Sequence, residues 1–176
     1  MNTFAKIITA SALALISSAS MAATDGSLGA DSTGTSDLSL TINDRVQITG
    51  VDDIALGAYS GSGVLTGETE FCVYRNGGDN YKVTLTTDQA SFVVKSATTL
   101  DTIAFSASID DDLDASDGES LTYNTASAVA LAGSNSVTCG GSSNAALQVS
   151  FAEAALQAAS SANDYQATVT VFVEPI

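Results

Sequence analysis

A regular alternation of apolar and polar residues near the N-terminus constrains the fold more than any other stretch of this chain. Between residues 34 and 48, Leu38, Leu40 and Ile42 alternate with polar neighbours, and the pattern resumes at Val46 and Ile48. A period of two places the apolar side chains on one face of an extended strand, whereas a helix needs spacings of three and four. The stretch therefore predicts a β-strand, which either pairs within its own domain or is lent to a neighbouring chain.

The first 22 residues have the parts of an export signal. Lys6 supplies the positive charge, residues 7–16 are apolar, and residues 20–22 place small side chains at a cleavage site. The apolar run is too short to span a bilayer. We therefore expect cleavage after Ala22, and an exported mature chain that is not embedded in a membrane.

The mature chain is strongly acidic, with four basic and 20 acidic residues and a formal charge of −16. Such a surface repels phosphates, which argues against nucleic acid and against anionic membranes as partners. Thr, Ser, Val, Ala and Gly are abundant while Trp and His are absent, which is typical of a β-rich exported protein. The charge itself favours solubility.

Further stretches predict more strands. Residues 68–76 and the alternating run that starts at Tyr81 flank the turn residues 76–80, a pattern that predicts a β-hairpin with a five-residue loop. Other strands are predicted at 92–94, 103–109, 121–123, 129–131, 145–151 and 165–174, with a short helix within 151–161. Residues 23–36 hold one large apolar side chain and predict a flexible leader. We therefore expect a signal peptide (1–22), a leader with the lent strand (23–43) and a β domain (44–176), whose last strand is left with an open edge.

An acidic stretch, residues 110–119, raises the question of calcium binding. Clustered carboxylates suit a hard cation, and Asp112, Asp114 and Ser116 stand at alternate positions. However, Gly118 comes one place late for an EF-hand turn, and no Glu stands at the twelfth position. A solvated acidic loop is therefore favoured, and calcium is kept as the alternative.

Cys72 and Cys139 are the only cysteines in this exported chain. An even number of cysteines in an oxidising compartment predicts a disulfide, which here closes a loop of 67 residues between β segments.

Residues for catalysis are lacking. Without His there is no Ser-His-Asp or Cys-His arrangement, and neither a phosphate loop nor a dinucleotide fingerprint occurs. We therefore expect no enzymatic activity, no cofactor and no metal centre of the zinc type.

With these segments in place, the chain resembles the chaperone–usher pilins, and among them the spore-coat-protein-U-like, archaic pilins. The carrying motifs are DLSLTI leading into DRVQITGVDDIALG, then EFCVYRNGGDNYKVTLTT, SLTYN and NDYQATVTVFVEP, and their order covers most of the mature chain. The resemblance implies an incomplete immunoglobulin-like β-sandwich that lacks its last strand. A periplasmic chaperone first fills the gap, and the N-terminal strand of the next subunit then replaces it.

The first functional hypothesis is therefore a structural subunit of a cell-surface fimbria, assembled through a chaperone and an outer-membrane usher and supporting adhesion or biofilm formation. Leu38, Leu40 and Ile42 would be inserted into the next subunit, which is an identical or homologous pilin. The accepting groove would be lined by Val46, Ile48, Tyr165, Val169, Val171 and Val173. The alternative is a secreted monomeric β-sandwich binding module, stabilised by calcium at residues 110–119.

Overall fold

The structure, a computed structural model, describes residues 23–114, 117–162 and 164–176. The chain divides into an N-terminal unit that ends at Ile42 and a larger unit that begins at Asn43. In the N-terminal unit, every described residue is exposed, and Thr24 and Thr35 form an isolated antiparallel bridge with two backbone hydrogen bonds of 3.0 Å. Residues 36–45 form no strand, so the long alternating stretch yields a strand only from Val46 onwards.

The larger unit is all-β, as the sequence predicts, and its described residues form antiparallel strands and one short helix. Its elements are β1 (Val46–Thr49), β2 (Leu65–Arg75), β3 (Asn80–Thr87), β4 (Val93–Ser96), β5 (Thr102–Ala104), β6 (Ser106–Asp110), β7 (Glu119–Ser120), β8 (Leu131–Ala132), β9 (Ala145–Phe151), α1 (Glu153–Ala158), β10 (Tyr165–Gln166) and β11 (Val169–Pro175). Short 3₁₀ turns occupy Asn76–Gly78 and Cys139–Gly141. The predicted strand around Leu121 lies slightly earlier, at β7, and the predicted helix is α1.

Three sheets surround one hydrophobic core. Their strand orders are β1-β2-β9-β6-β7, β10-β4-β5 and β11-β3-β8. Alternate residues are buried throughout β3 and in β9 from Leu147 onwards, as a two-residue period requires when one face of a strand packs inward. Tyr81, Phe71 and Leu85 are among the largest fully buried side chains, and they join residues of the other strands in a single cluster.

The predicted hairpin between β2 and β3 is wrong. β2 pairs with β1 along one part of its length and with β9 along another, whereas β3 pairs with β8 and β11 in a different sheet. The backbone around Ser134 also bonds to β2, since Arg75 donates to its carbonyl and its own N–H donates to Val73. The turn after Arg75 therefore carries the chain from one sheet to another, and the part of β2 next to the turn has both edges occupied, by β1 and by the backbone of Ser134.

Two long predicted strands are each divided between two sheets. The stretch 103–109 breaks at Phe105, whose N–H donates to Phe92, so that β5 pairs with β4 and β6 pairs with β9. The stretch 165–174 breaks before Val169, where Thr168 bonds to the backbone and carboxylate of Asp88. As a result β10 pairs with β4 and β11 pairs with β3.

The predicted disulfide between Cys72 and Cys139 is confirmed, with a Cα–Cα distance of 5.8 Å. It joins β2 to the second 3₁₀ turn, and it therefore closes the predicted loop across 67 residues. Among the described residues, no helix has the length and apolar character that crossing a membrane would require.

Candidate functional site

An open groove runs between residues 51–56 and the last two strands. Core side chains form its floor, among them Phe105 and Phe151, which pack on each other with ring centroids 5.4 Å apart. Two adjoining cavities of about 410 and 770 Å³ make up the groove. Both are lined by Ile54, Leu56, Val94, Phe151 and Tyr165. Part of the hydrophobic core is thus accessible from outside, as it would be if one strand that covers the core were missing.

β11 borders this groove as an edge strand. Among the described residues, its only strand partner is β3, and its opposite edge makes no backbone ladder. Val169, Val171 and Val173 are half-buried against the core, while the residues between them point outward and are exposed. An unpaired edge of this kind is a template for another extended chain.

The six residues predicted for the accepting groove lie on β1, β10 and β11. All six are half-buried, and all pack against the core cluster: Val46, Ile48, Tyr165, Val169, Val171 and Val173. Three of them line the smaller cavity, namely Tyr165, Val169 and Val171. The Cα atoms of β1 and β11 come within 8 Å of each other without forming a ladder. The other three predicted residues, Val46, Ile48 and Val173, line neither cavity.

The opposite wall of the groove is formed by residues 51–56, which the sequence analysis did not predict as part of the site. Ile54 and Leu56 are half-buried there, and the segment has no strand pairing. A Cβ atom added at Gly67 in β2 would lie 2.5 Å from Ile54 Cγ2 and 2.7 Å from a Leu56 methyl. A glycine inside a strand pattern often marks such a close approach, and that signal, together with the alternation of Ile54 and Leu56, could have identified the wall.

Tyr165 is held at the groove by a small polar cluster. Its hydroxyl donates to the carbonyl of Ser160 at 2.8 Å and lies 3.3 Å from a carboxylate oxygen of Asp101. Desolvation raises the pKa of Tyr165, so the phenol stays protonated. The backbone N–H of Ser160, followed by that of Thr102, lowers the pKa of the Asp101 carboxyl. The aromatic wall of the groove therefore has a fixed position.

A second carboxylate ties β10 to the neighbouring turn. Asp164 accepts hydrogen bonds from the Ser96 hydroxyl at 2.6 Å and from the backbone N–H and hydroxyl of Thr98 at 2.8 and 2.7 Å. These bonds hold the pKa of Asp164 below its ordinary value, and the bond from Ser96 has the largest effect. The charged form of Asp164 thus stabilises the strand that carries Tyr165.

The three residues predicted for donation are strongly exposed. The exposed fractions are 96% for Leu38, 83% for Leu40 and 73% for Ile42. Exposure of three alternating large apolar side chains is costly for an isolated domain, and it is common where such a surface meets a partner.

The acidic loop gathers a set of carboxylates that differs from the predicted one. The carboxyl oxygens of Asp110, Asp112 and Asp117 lie within 4.8 Å of one another. Asp114 is not in this set, and Ser116 lies outside the described residues. The backbone N–H of Asp114 lowers the pKa of Asp112, but Asp110, desolvation and Asp117 together raise it, and the net shift is upward. This loop is separate from the groove, since none of these carboxylates lines either cavity.

No protein-family model matches the sequence, and a search of curated proteins finds no match for it.

Proposed function

We propose that this chain is a structural subunit of a cell-surface fimbria that polymerises by donor-strand exchange. In this proposal the larger unit is an immunoglobulin-like β-sandwich that lacks its last strand, and residues 38–42 of another copy supply it. The observation that carries the proposal is the apolar groove beside the unpaired edge of β11.

The chemistry of the two parts is complementary. β-Strand addition needs free main-chain groups on an edge strand and pockets for alternate side chains of the incoming strand. β11 offers such an edge and the half-buried Val169, Val171 and Val173. Residues 38–42 offer three apolar side chains with the same period of two.

The partners follow from the same groove. A free edge and an exposed core are aggregation hazards during export, so a periplasmic chaperone would cover them until a neighbouring subunit does. An outer-membrane usher would then order the exchange, and the fibre would support adhesion or biofilm formation. The acidic surface would keep the subunit soluble before assembly.

Gel filtration of the exported protein with and without residues 23–43 tests the proposal. The full subunit is expected to form ladders of oligomers, and the truncated one is expected to be unstable until a synthetic peptide covering residues 36–44 is added. A matched control peptide carries Asp in place of Leu40. A truncated protein that is a stable monomer without any peptide would contradict the proposal.

The alternative, a secreted monomeric binding module stabilised by calcium, is favoured by one observation. The three clustered carboxylates of Asp110, Asp112 and Asp117 provide the oxygen ligands that calcium prefers. An increase in the melting temperature of a monomeric wild-type protein on addition of calcium would support this alternative.

A further inference from the structure

A buried arginine lies at the point where the larger unit begins. Arg75, at the end of β2, is 3% exposed, and its guanidinium donates to Asp44 Oδ1 at 2.9 Å. It also reaches the carbonyl oxygen of Ile176 at 3.4 Å, just beyond the end of β11. A buried charge is expensive unless it is well paired, yet the Nε of Arg75 has no partner among the described residues. The charge of Arg75 is paired by Asp44, so this ion pair ties the start of the larger unit to the end of β2.

Asn76 fixes the same short segment through its side chain and backbone. Its Oδ1 accepts the N–H of Arg45 at 2.7 Å, and its Nδ2 donates to the carbonyl of Asn43 at 3.2 Å. Its own N–H donates to the carbonyl of Arg45 at 3.2 Å. We call Arg75, Asn76 and the backbone of residues 43–45 the anchor. Ile42, the last of the three apolar donor residues, precedes the anchor directly in the sequence.

The anchor lies at one particular end of the groove. Asp44 and Ile176 both contact Arg75, so residues 43–45 are placed at the C-terminal end of β11. Val169, where β11 begins, is roughly 20 Å away along the strand. A strand that pairs antiparallel with β11 has its last residue beside Val169. One residue of chain spans at most about 3.6 Å, so Ile42 cannot reach that position in its own subunit while the anchor holds.

The same contacts also prevent residues 38–42 from pairing parallel to β11 of their own subunit. In that case residues 38–42 would fold back along β1, with residues 43–45 as a three-residue hairpin loop. Such loops normally need a residue with positive φ, and none of these three residues has one. Asn76 also engages the N–H and C=O of Arg45 and the C=O of Asn43.

We propose that Arg75 and Asn76 are positioning residues that prevent the donor segment from entering the groove of its own subunit, and so reserve it for a second copy of this chain. This inference rests on the proposed function. Such a barrier to self-insertion is needed, because a donor on a short flexible tether has an effective concentration of about 1 mM at its own groove. At about 10 μM subunit, a released donor would then close on itself roughly 100-fold more often than it joins a neighbour.

Disulfide trapping in the full-length gene product, exported with its own leader, tests this inference. Leu40→Cys and Val171→Cys place thiols at the middle of the donor and the middle of β11. The double variant is made in three backgrounds: unchanged, with Asn76→Ala, and with a Gly-Ser insertion of about ten residues between Ile42 and Asn43, which reaches roughly 33 Å. Non-reducing gels then separate links between subunits from links within one subunit. Ser39→Cys in place of Leu40→Cys is the control, because that side chain points to the other face.

The unchanged background is expected to give a ladder, and both altered backgrounds are expected to give linked monomer. Ladders from all three would refute the inference and leave the proposed function standing. Linked monomer from the unchanged background would refute the inference, and no 40–171 link in any background would refute the proposed function itself. If Asn76→Ala gives a ladder while the insertion variant gives linked monomer, Asn76 is not a residue that prevents self-insertion. If Asn76→Ala does not accumulate, Asp44→Asn takes its place, since it weakens the ion pair of the same anchor at a side chain that is 68% exposed. Linked monomer from Asp44→Asn is then the expected result, and a ladder from it would refute the inference.

Discussion

Replacing Leu40 by Asp separates the two roles that residues 38–42 could have. Leu40 is 83% exposed in the subunit, so the free energy of unfolding should change by no more than about 0.5 kcal/mol, as for other surface sites. If Leu40 instead enters a neighbour's groove, the substitution loses about 1.5–3 kcal/mol of apolar burial. It also buries a carboxylate without a partner, which costs several kcal/mol more.

A total of at least about 4 kcal/mol at each joint corresponds to a roughly 1000-fold weaker interaction between subunits. The groove is unchanged by this substitution, so under the proposed function the variant should still bind a periplasmic chaperone. The assay expresses the variant with chaperone and usher, and measures surface fibres together with periplasmic chaperone complexes. Ser39→Asp is the matched control, because residue 39 points to the opposite face and should tolerate a charge.

Normal fibres from Leu40→Asp would remove residues 38–42 from the donor role. Loss of both the fibres and the chaperone complex would show instead that Leu40 belongs to the core of its own subunit. Equal defects from Leu40→Asp and Ser39→Asp would mean that charge near the N-terminus, rather than burial of one face, is what assembly rejects.

Three further predictions concern stability. Cys72→Ser should lower the free energy of unfolding by about 4 kcal/mol, measured by urea denaturation, because it opens a 67-residue loop; an unchanged urea midpoint would contradict this. Replacing Asp112, Asp114 and Asp117 together by Asn should leave fold and assembly intact, and the expectation fails if calcium raises the melting temperature of the wild type but not of the triple variant. Hydrogen bonds lower the pKa of Asp164, so its contribution is present above the ordinary value of 3.8 and is lost as the pH falls below it. Asp164→Asn should therefore destabilise the protein more at pH 7 than at pH 3, and an equal effect at both would refute the charge argument.

The period-two patterns predicted which faces of the strands are buried. The side chains of Val169, Val171 and Val173 all turn inward, because alternation is a local property that each strand carries in its own sequence. The disulfide was predictable for a similar reason, since the predicted export signal implies an oxidising compartment and two cysteines leave one intramolecular pairing.

Strand partners could not be predicted from local patterns. The turn after Arg75 reverses the chain, but its sequence does not show that the end of β2 next to the turn is already bonded to β1 on one edge and to the backbone of Ser134 on the other. The breaks at Phe105 and Thr168 were equally hidden, because the apolar alternation continues through each of them while the hydrogen-bonding partner changes. Likewise, the anchor joins residues that are far apart in the chain, and no local sequence pattern around Arg75 and Asn76 predicts their contacts with residues 43–45.

The wall formed by residues 51–56 bears on how an inserted strand would be held. Gly50, with a φ of 81°, follows the last residue of β1, and the next six residues have no strand partner. Asp52 bonds through its N–H to the Thr69 hydroxyl at 3.1 Å, so the wall stays near β2 through side-chain contacts. An inserted strand would therefore meet the open edge of β11 on one side and the side chains of this wall, Ile54 and Leu56, on the other. The main-chain hydrogen bonds of an added strand would then come from β11, while the wall would contribute apolar contacts.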